Sequence, residues 1–278
     1  AGLEALTPAA LRAAHRRWLR PETARITVAG DMTMERLLPL LEGAFGSWKV
    51  RGKAPPAKPL ALEVPPPRAR IVLVDRPNSP QSFITAGRVL PATGRDAGLE
   101  PLELANEVLG GGFLARINSN LREEKGWSYG TYTQITAPLG PRSLVLTAPV
   151  QSDRTGDSIR EILAEMKAYP GERPTQETES LRVTDGNIRG LPNRFETNAQ
   201  VLRAIVVNQR LGRPDDYYST IATRWRAIDA TALDAAARQW LSADGLAFVV
   251  VGDRKVVEPQ LAGLGLPVEI VAAPAGGS

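Results

Sequence analysis

The chain has 278 residues, 43% of them hydrophobic, a formal net charge of +4, one His and no Cys. The apolar fraction suits a packed globular core. The absence of Cys excludes disulfides and thiolate metal sites, and no apolar run approaches the roughly 18 residues that cross a membrane as a helix.

In chain order, residues 7–19 predict an amphipathic helix, with Thr7 as N-cap and Pro8 at the first helical position. Residues 25–29 predict a strand closed by Gly30-Asp31, and residues 34–45 a second helix with Leu37, Leu38, Leu41 and Phe45 on one face. Six prolines between Pro55 and Pro67 mark residues 51–67 as an extended linker. Beyond it come strands at 71–74 and 82–90 and helices at 99–109 and 114–124. Strands at 128–136 and 143–150 follow, paired across a Pro-Gly-Pro turn. Helices are expected at 154–168, 175–190, 196–210, 215–225 and 231–241, then a strand at 246–251 and a short helix at 256–264. This order is α+β: a mainly antiparallel sheet with helices packed on one face.

The start of the chain repeats near its end. Residues 6–31 align on 228–253 without a gap, at the constant offset of 222 that separates Leu11 from Leu233. Ala14 falls on Ala236, Arg16 on Arg238, Trp18 on Trp240, Leu19 on Leu241, Val28 on Val250, Gly30 on Gly252 and Asp31 on Asp253. Both copies read helix, Trp-Leu, strand, Gly-Asp. An ungapped match at this separation points to duplication of a whole domain; solenoid units repeat every 20–50 residues or so. The expected organisation is residues 1–50 as the tail of a first domain, 51–67 as linker and 68–278 as one complete related domain.

The candidates for chemistry are few. The basic residues are spread and not clustered, which argues against a nucleic-acid surface. His15, whose place in the second copy is taken by Ala237, could not complete a zinc site or a catalytic triad without further His or Cys. The most distinctive stretch runs from Leu109 to Gly130: a triple glycine Gly110-Gly111-Gly112, Phe113, a charged helix, and Gly126-Trp127-Ser128-Tyr129-Gly130. It contains no phosphate-binding glycine pattern. Its glycines would permit positive φ and close backbone approach, and a plain helix–helix corner explains them as well. Arg122 and Tyr129, seven apart across Gly126, could converge on one oxygen, an Arg fork and a Tyr hydroxyl together holding a peptide carbonyl. Equally, Arg122 could pair with Glu123 or Glu124.

The sequence Leu121-Arg-Glu-Glu-Lys-Gly-Trp-Ser-Tyr-Gly130 after a Gly-Gly-Gly-Phe loop resembles the second domain of the M16 metallopeptidases, the family of pitrilysin, insulysin and the mitochondrial processing peptidase. Ile71-Val-Leu-Val-Asp75 with Pro80-Gln81-Ser82, the stretch from Leu191 to Thr197, and the duplicated helix–strand–Gly-Asp ending extend the likeness over essentially the whole chain. The resemblance implies two homologous α+β domains around a peptide chamber. Zinc would sit on the first, held by H-x-x-E-H and a further Glu, with an Arg/Tyr pair on the second, here Arg122 and Tyr129. Gly110, Gly111, Gly112 and Phe113 would contact substrate. This chain has no H-x-x-E-H, so the resemblance implies a zinc-less half, inactive alone, whose partner is a zinc-bearing M16 domain on the same polypeptide or on another subunit. The alternative is a non-catalytic scaffold or peptide-binding subunit of the same fold. The compartment stays open, with a bacterial periplasmic location as the working expectation.

Overall fold

The computed structural model describes residues 2–60 and 62–272. Among the described residues the helices are α1 (Pro8–Trp18), α2 (Met34–Phe45), α3 (Glu100–Asn106), α4 (Arg116–Asn118), α5 (Thr155–Ala168), α6 (Glu177–Gly190), α7 (Asn198–Leu211), α8 (Tyr217–Arg226), α9 (Ala230–Trp240) and α10 (Arg254–Leu261). The strands are β1 (Arg70–Asp75), β2 (Gln81–Thr93), β3 (Tyr132–Ile135), β4 (Pro141–Gln151), β5 (Ala247–Gly252) and β6 (Val268–Ala272). They fall into two compact units. One runs up to Pro59 and includes Pro192–Arg210; the other comprises Leu60–Leu191 and everything from Leu211 on.

The first unit carries α1 and α2, neither with a buried residue. Thr7 caps α1 as expected, its hydroxyl accepting from Ala10 N at 3.2 Å. Arg20, 3% exposed, ties this unit together through Glu22 (2.8 Å) and the carbonyl of Gly52 (2.6 Å). Residues 25–29 are extended but pair with no strand, contrary to the expectation of a strand there. The cause lies in pairing, since a strand exists only through its ladder, and no described segment offers these residues one.

The second unit is built on one mixed six-stranded sheet, ordered β3-β4-β2-β5-β1-β6. The pairs β2–β4, β2–β5 and β3–β4 are antiparallel, while β1 runs parallel to both β5 and β6. Period-two alternation along β2, β4 and β5 sends Ile84, Ala86 and Leu90, Leu144, Leu146 and Ala148, and Phe248 and Val250 to one buried face. The helices cover that face with Leu104, Ile117, Ile159, Ile162 and Leu233. Phe83, Tyr132 and Val249 look out on the other face and stay exposed. Each fully buried Leu, Ile or Phe side chain contributes about 1.5–3 kcal/mol relative to exposure.

The duplicated copies differ in what they bury. Asp229, at the position of Thr7, caps α9 through Ala232 N (2.8 Å), so even the cap repeats. Yet Leu233 is 0% exposed and Leu11 55%, and Val250 is buried where Val28 is exposed. Leu233→Ala is therefore expected to cost about 2–5 kcal/mol, whereas Leu11→Ala should stay within about 0.5 kcal/mol. Urea unfolding of the two variants checks the contrast.

Candidate functional site

Gly110 lies in a wide π-helical turn (Glu107–Gly111) that extends α3. A Cβ on Gly110 would fall 2.6 Å from the Thr133 side chain, and one on Gly111 2.9 Å from Asn106 Nδ2. None of the three glycines takes a positive φ, contrary to that part of the expectation; close approach of the helix to β3 is the reason for Gly110, and crowding against Asn106 and Glu107 the reason for Gly111. Gly110 is buried and so packs the loop in place, while Phe113 projects from it, 55% exposed.

A second wide turn, Ser119–Glu124, extends α4, with Lys125 N donating to Asn120 O at 3.1 Å. It ends at Gly126, whose φ of +66° turns the chain back. Gly126 N and Trp127 N then donate to the carbonyls of Arg122 (3.2 Å) and Leu121 (2.9 Å), which pins the Tyr129 loop against the end of the Arg122 helix. Ser128 bridges to Val150 of β4, and the ladder of β3 starts only at Tyr132. The expected strand from 128 is thus a loop for its first half, because the Ser128 hydroxyl is committed to Pro149 O (2.6 Å) and accepts from Gly130 N (3.1 Å).

The Arg122 guanidinium lies 4.3 Å from the Phe113 ring centroid, in cation–π geometry. Its Nη1 stands 3.0 Å from Glu123 Oε1 but off the N–H axis, so this buried nitrogen has a charge partner and no hydrogen bond. Tyr129 is 86% exposed. Its hydroxyl and Arg122 share no hydrogen bond; the fold brings their backbones together, leaving Tyr129 in solvent and the Arg122 side chain one-third exposed against Phe113.

Asn118, fully buried and not distinguished by the sequence, holds this corner together. Its Nδ2 donates to Phe113 O (2.7 Å) and its Oδ1 accepts from Thr131 N (2.8 Å), so one amide clamps both loops. In sequence it sits among polar residues of a helix that looks solvated, and no spacing signal separates it from Ser119 or Asn120. Asn118→Ala would strand a buried N–H and C=O and is expected to cost about 1–3 kcal/mol. Faster amide exchange at Thr131 would locate the loss.

Two residues before Asn118, Arg116 anchors α4. Its Nε and Nη2 meet both Glu179 oxygens (2.8 and 2.5 Å), its remaining donors reach Arg173 O and Pro174 O (2.9 Å to the latter), and it lies 4.6 Å over the Tyr169 ring. Burial by itself would raise the Glu179 carboxyl, but the Arg116 hydrogen bonds, the Gln176 N–H and the charges of Arg116 and Arg182 together outweigh it and hold Glu179 below the usual carboxylate range.

The chain's own donors do not fit zinc. It has one His and no Cys, and among the described residues no three of His, Asp and Glu come together as a metal site. No helix among the described residues is long and apolar enough to cross a membrane.

A family model described as the peptidase M16 inactive domain matches residues 5–178. The chain belongs to the M16 peptidase family. It is 28% identical over 155 residues to an uncharacterized zinc protease of Mycobacterium bovis, covering 56% of this chain and 35% of that protein. It is 24% identical over 190 residues to one of Mycobacterium leprae, covering 68% and 41%. This M16 chain therefore spans well under half the length of these relatives. Its fold matches a peptidase M16 inactive domain from Pseudomonas fluorescens at TM-score 0.72 with 19% identity, covering 90% of this chain and 58% of that one. A protease from Helicobacter pylori matches at TM-score 0.79 with 15% identity, covering 89% and 60%. The α+β M16 architecture expected from the sequence is thereby established.

Proposed function

We propose that this chain is the substrate-binding, zinc-less part of an M16 zinc peptidase. Arg122 and Tyr129 hold the carbonyl of the bound peptide, and Phe113 at the tip of the Gly110–Gly112 loop contacts the peptide beside it. Zinc belongs to another M16 domain, on the same polypeptide or on a partner subunit. Residues 1–50 belong to a first M16-like domain and 68–278 to a second. The exposed apolar positions of α1 that match buried positions of α9 support this division.

One observation carries the reading. The Arg122 side chain, one-third exposed, and a solvent-facing Tyr129 stand on either side of Gly126, where Asn118 clamps the neighbouring Phe113 and Thr131 backbones. Two donors on one corner can bind a carbonyl that gains negative charge. The test is hydrolysis of an unstructured peptide with zinc present. The chain alone should show none, and the chain mixed with a zinc-bearing M16 domain should cleave. Cleavage by the chain alone would overturn the proposal. The scaffold reading has its own support, since the stacking of Arg122 on Phe113 gives that side chain a structural duty. It predicts a complex that forms and never cleaves.

A further inference from the structure

Pro65, Pro66 and Pro67 wall a cleft of about 360 Å³ in the second unit. Gly87, Gly245 and Ala247 give it a surface almost bare of side chains, and Arg68, Arg70 and Arg88 surround it. No Asp or Glu lines it. The wall is fixed in place: Gly245 has φ +73°, and a Cβ there would lie 2.2 Å from Pro67 Cβ, so the proline seats directly on the glycine.

The three guanidinium groups lack a carboxylate. Arg68 and Arg70 are exposed and form no ion pair with a described residue. Arg88 is half-buried. Its Nη2 donates to Trp240 O (2.6 Å) and its Nη1 to Asp244 O (3.4 Å), both neutral carbonyls, and its Nε is buried with no hydrogen-bond partner. Asp244 is the acid whose field reaches Arg88, and its carboxylate already accepts from the Ser242 hydroxyl at 2.7 Å. A second cavity of about 300 Å³ in the same unit shows the opposite arrangement, with its Arg142 paired to Glu103 (3.2 Å) and its Arg224 to Glu100 (2.6 Å). Two exposed guanidinium groups without an ion-pair partner, beside a cleft that no acid among the described residues lines, suit an anionic acceptor.

We propose that this cleft is an oxyanion site in which Arg68 and Arg70 take a carboxylate or phosphate carried by a ligand, with Arg88 adding its charge to the lining. It is separate from the Arg122–Tyr129 corner. Arg70 pairs with Ala247, Ala247 with Gly87, Gly87 with Val145 and Val145 with Gln134. Two strand spacings separate the β2 side of the cleft from β3 and four separate Arg70 from it, roughly 10–20 Å across the sheet. The prolines and the Gly245 contact make the site rigid before binding, which lowers its entropic cost.

The experiment is titration calorimetry of the whole chain with inorganic phosphate, with a capped glutamate-rich pentapeptide, and with its glutamine counterpart. At least one of the two anionic probes should bind. Its affinity should fall with added NaCl and drop at least about tenfold in the exposed double variant Arg68→Ala/Arg70→Ala, which leaves the core untouched. The phosphate arm and the peptide arm tell a phosphate source from a carboxylate source. Failure of both anions to bind, or equal binding to the double variant, would overturn the proposal. Neither result depends on peptide hydrolysis, so the outcome is independent of the peptidase reading.

Discussion

Tyr129→Phe is expected to lower kcat/KM for peptide hydrolysis by about 10²–10³ when the chain is combined with a zinc-bearing M16 domain, the usual effect of removing one pre-positioned oxyanion donor. The side chain is 86% exposed and none of the described residues receives a hydrogen bond from it, so deleting its hydroxyl should leave the melting temperature unchanged. That separates a chemical effect from a structural one. Arg122→Ala should cost at least as much, but it also removes the cation stacked on Phe113 at 4.3 Å and is the less clean probe. If kcat falls while KM holds, the donor acts on developing charge; if KM alone rises, it binds the ground state as well. Wild-type hydrolysis by Tyr129→Phe would remove that hydroxyl from the proposed site.

Glu179→Ala should be a strongly damaging substitution for stability, at about 3–5 kcal/mol, because it leaves the Arg116 guanidinium buried without its carboxylate. In a unit of this size that lowers the melting temperature by roughly 10 °C. The pair also sets a pH dependence. The folded pKa of Glu179 lies below its unfolded value. Its contribution is therefore complete above the unfolded carboxylate range and fades as pH falls through the depressed value. The variant should lose this acid-side slope. Replacing both partners by Leu should recover much of the loss, since a buried apolar pair needs no desolvation. Thermal melts at pH 7 and pH 3 test all three statements.

Much of this was legible in the sequence, for identifiable reasons. Amphipathic periodicity placed α5, which buries one face, and the turn at Pro138-Gly140-Pro141 placed β4 as the partner of the strand before it. The possible Arg122–Glu123 pairing was also visible, since adjacent residues need no fold to meet. What escaped depended on distant partners. The ladder that makes β6 a strand comes from β1, almost two hundred residues earlier in sequence, and five exposed residues carry no alternation of burial to betray it. Residues 25–29 show the converse: strand composition with no ladder. The π-helical turns at Glu107 and Ser119 have no compositional signature, being set by how the helix meets Thr133 and the Tyr129 loop. Asn118 is known only by what its amide touches.

The place of β5 has a consequence for synthesis. It lies between β1 and β2, yet roughly 150 residues separate the end of β2 from its start. At about 5–20 residues per second, a ribosome emitting this chain would leave an open slot between β1 and β2 for about 10–30 seconds. Ile71, Leu73, Ile84 and Ala86 would wait uncovered through that interval, beside unpaired backbone ready to accept any passing strand. The nascent chain thus calls for a holding factor during elongation, and pulse-labelled ribosome complexes stalled before residue 247 should bind far more chaperone than complexes stalled after the last strand has emerged.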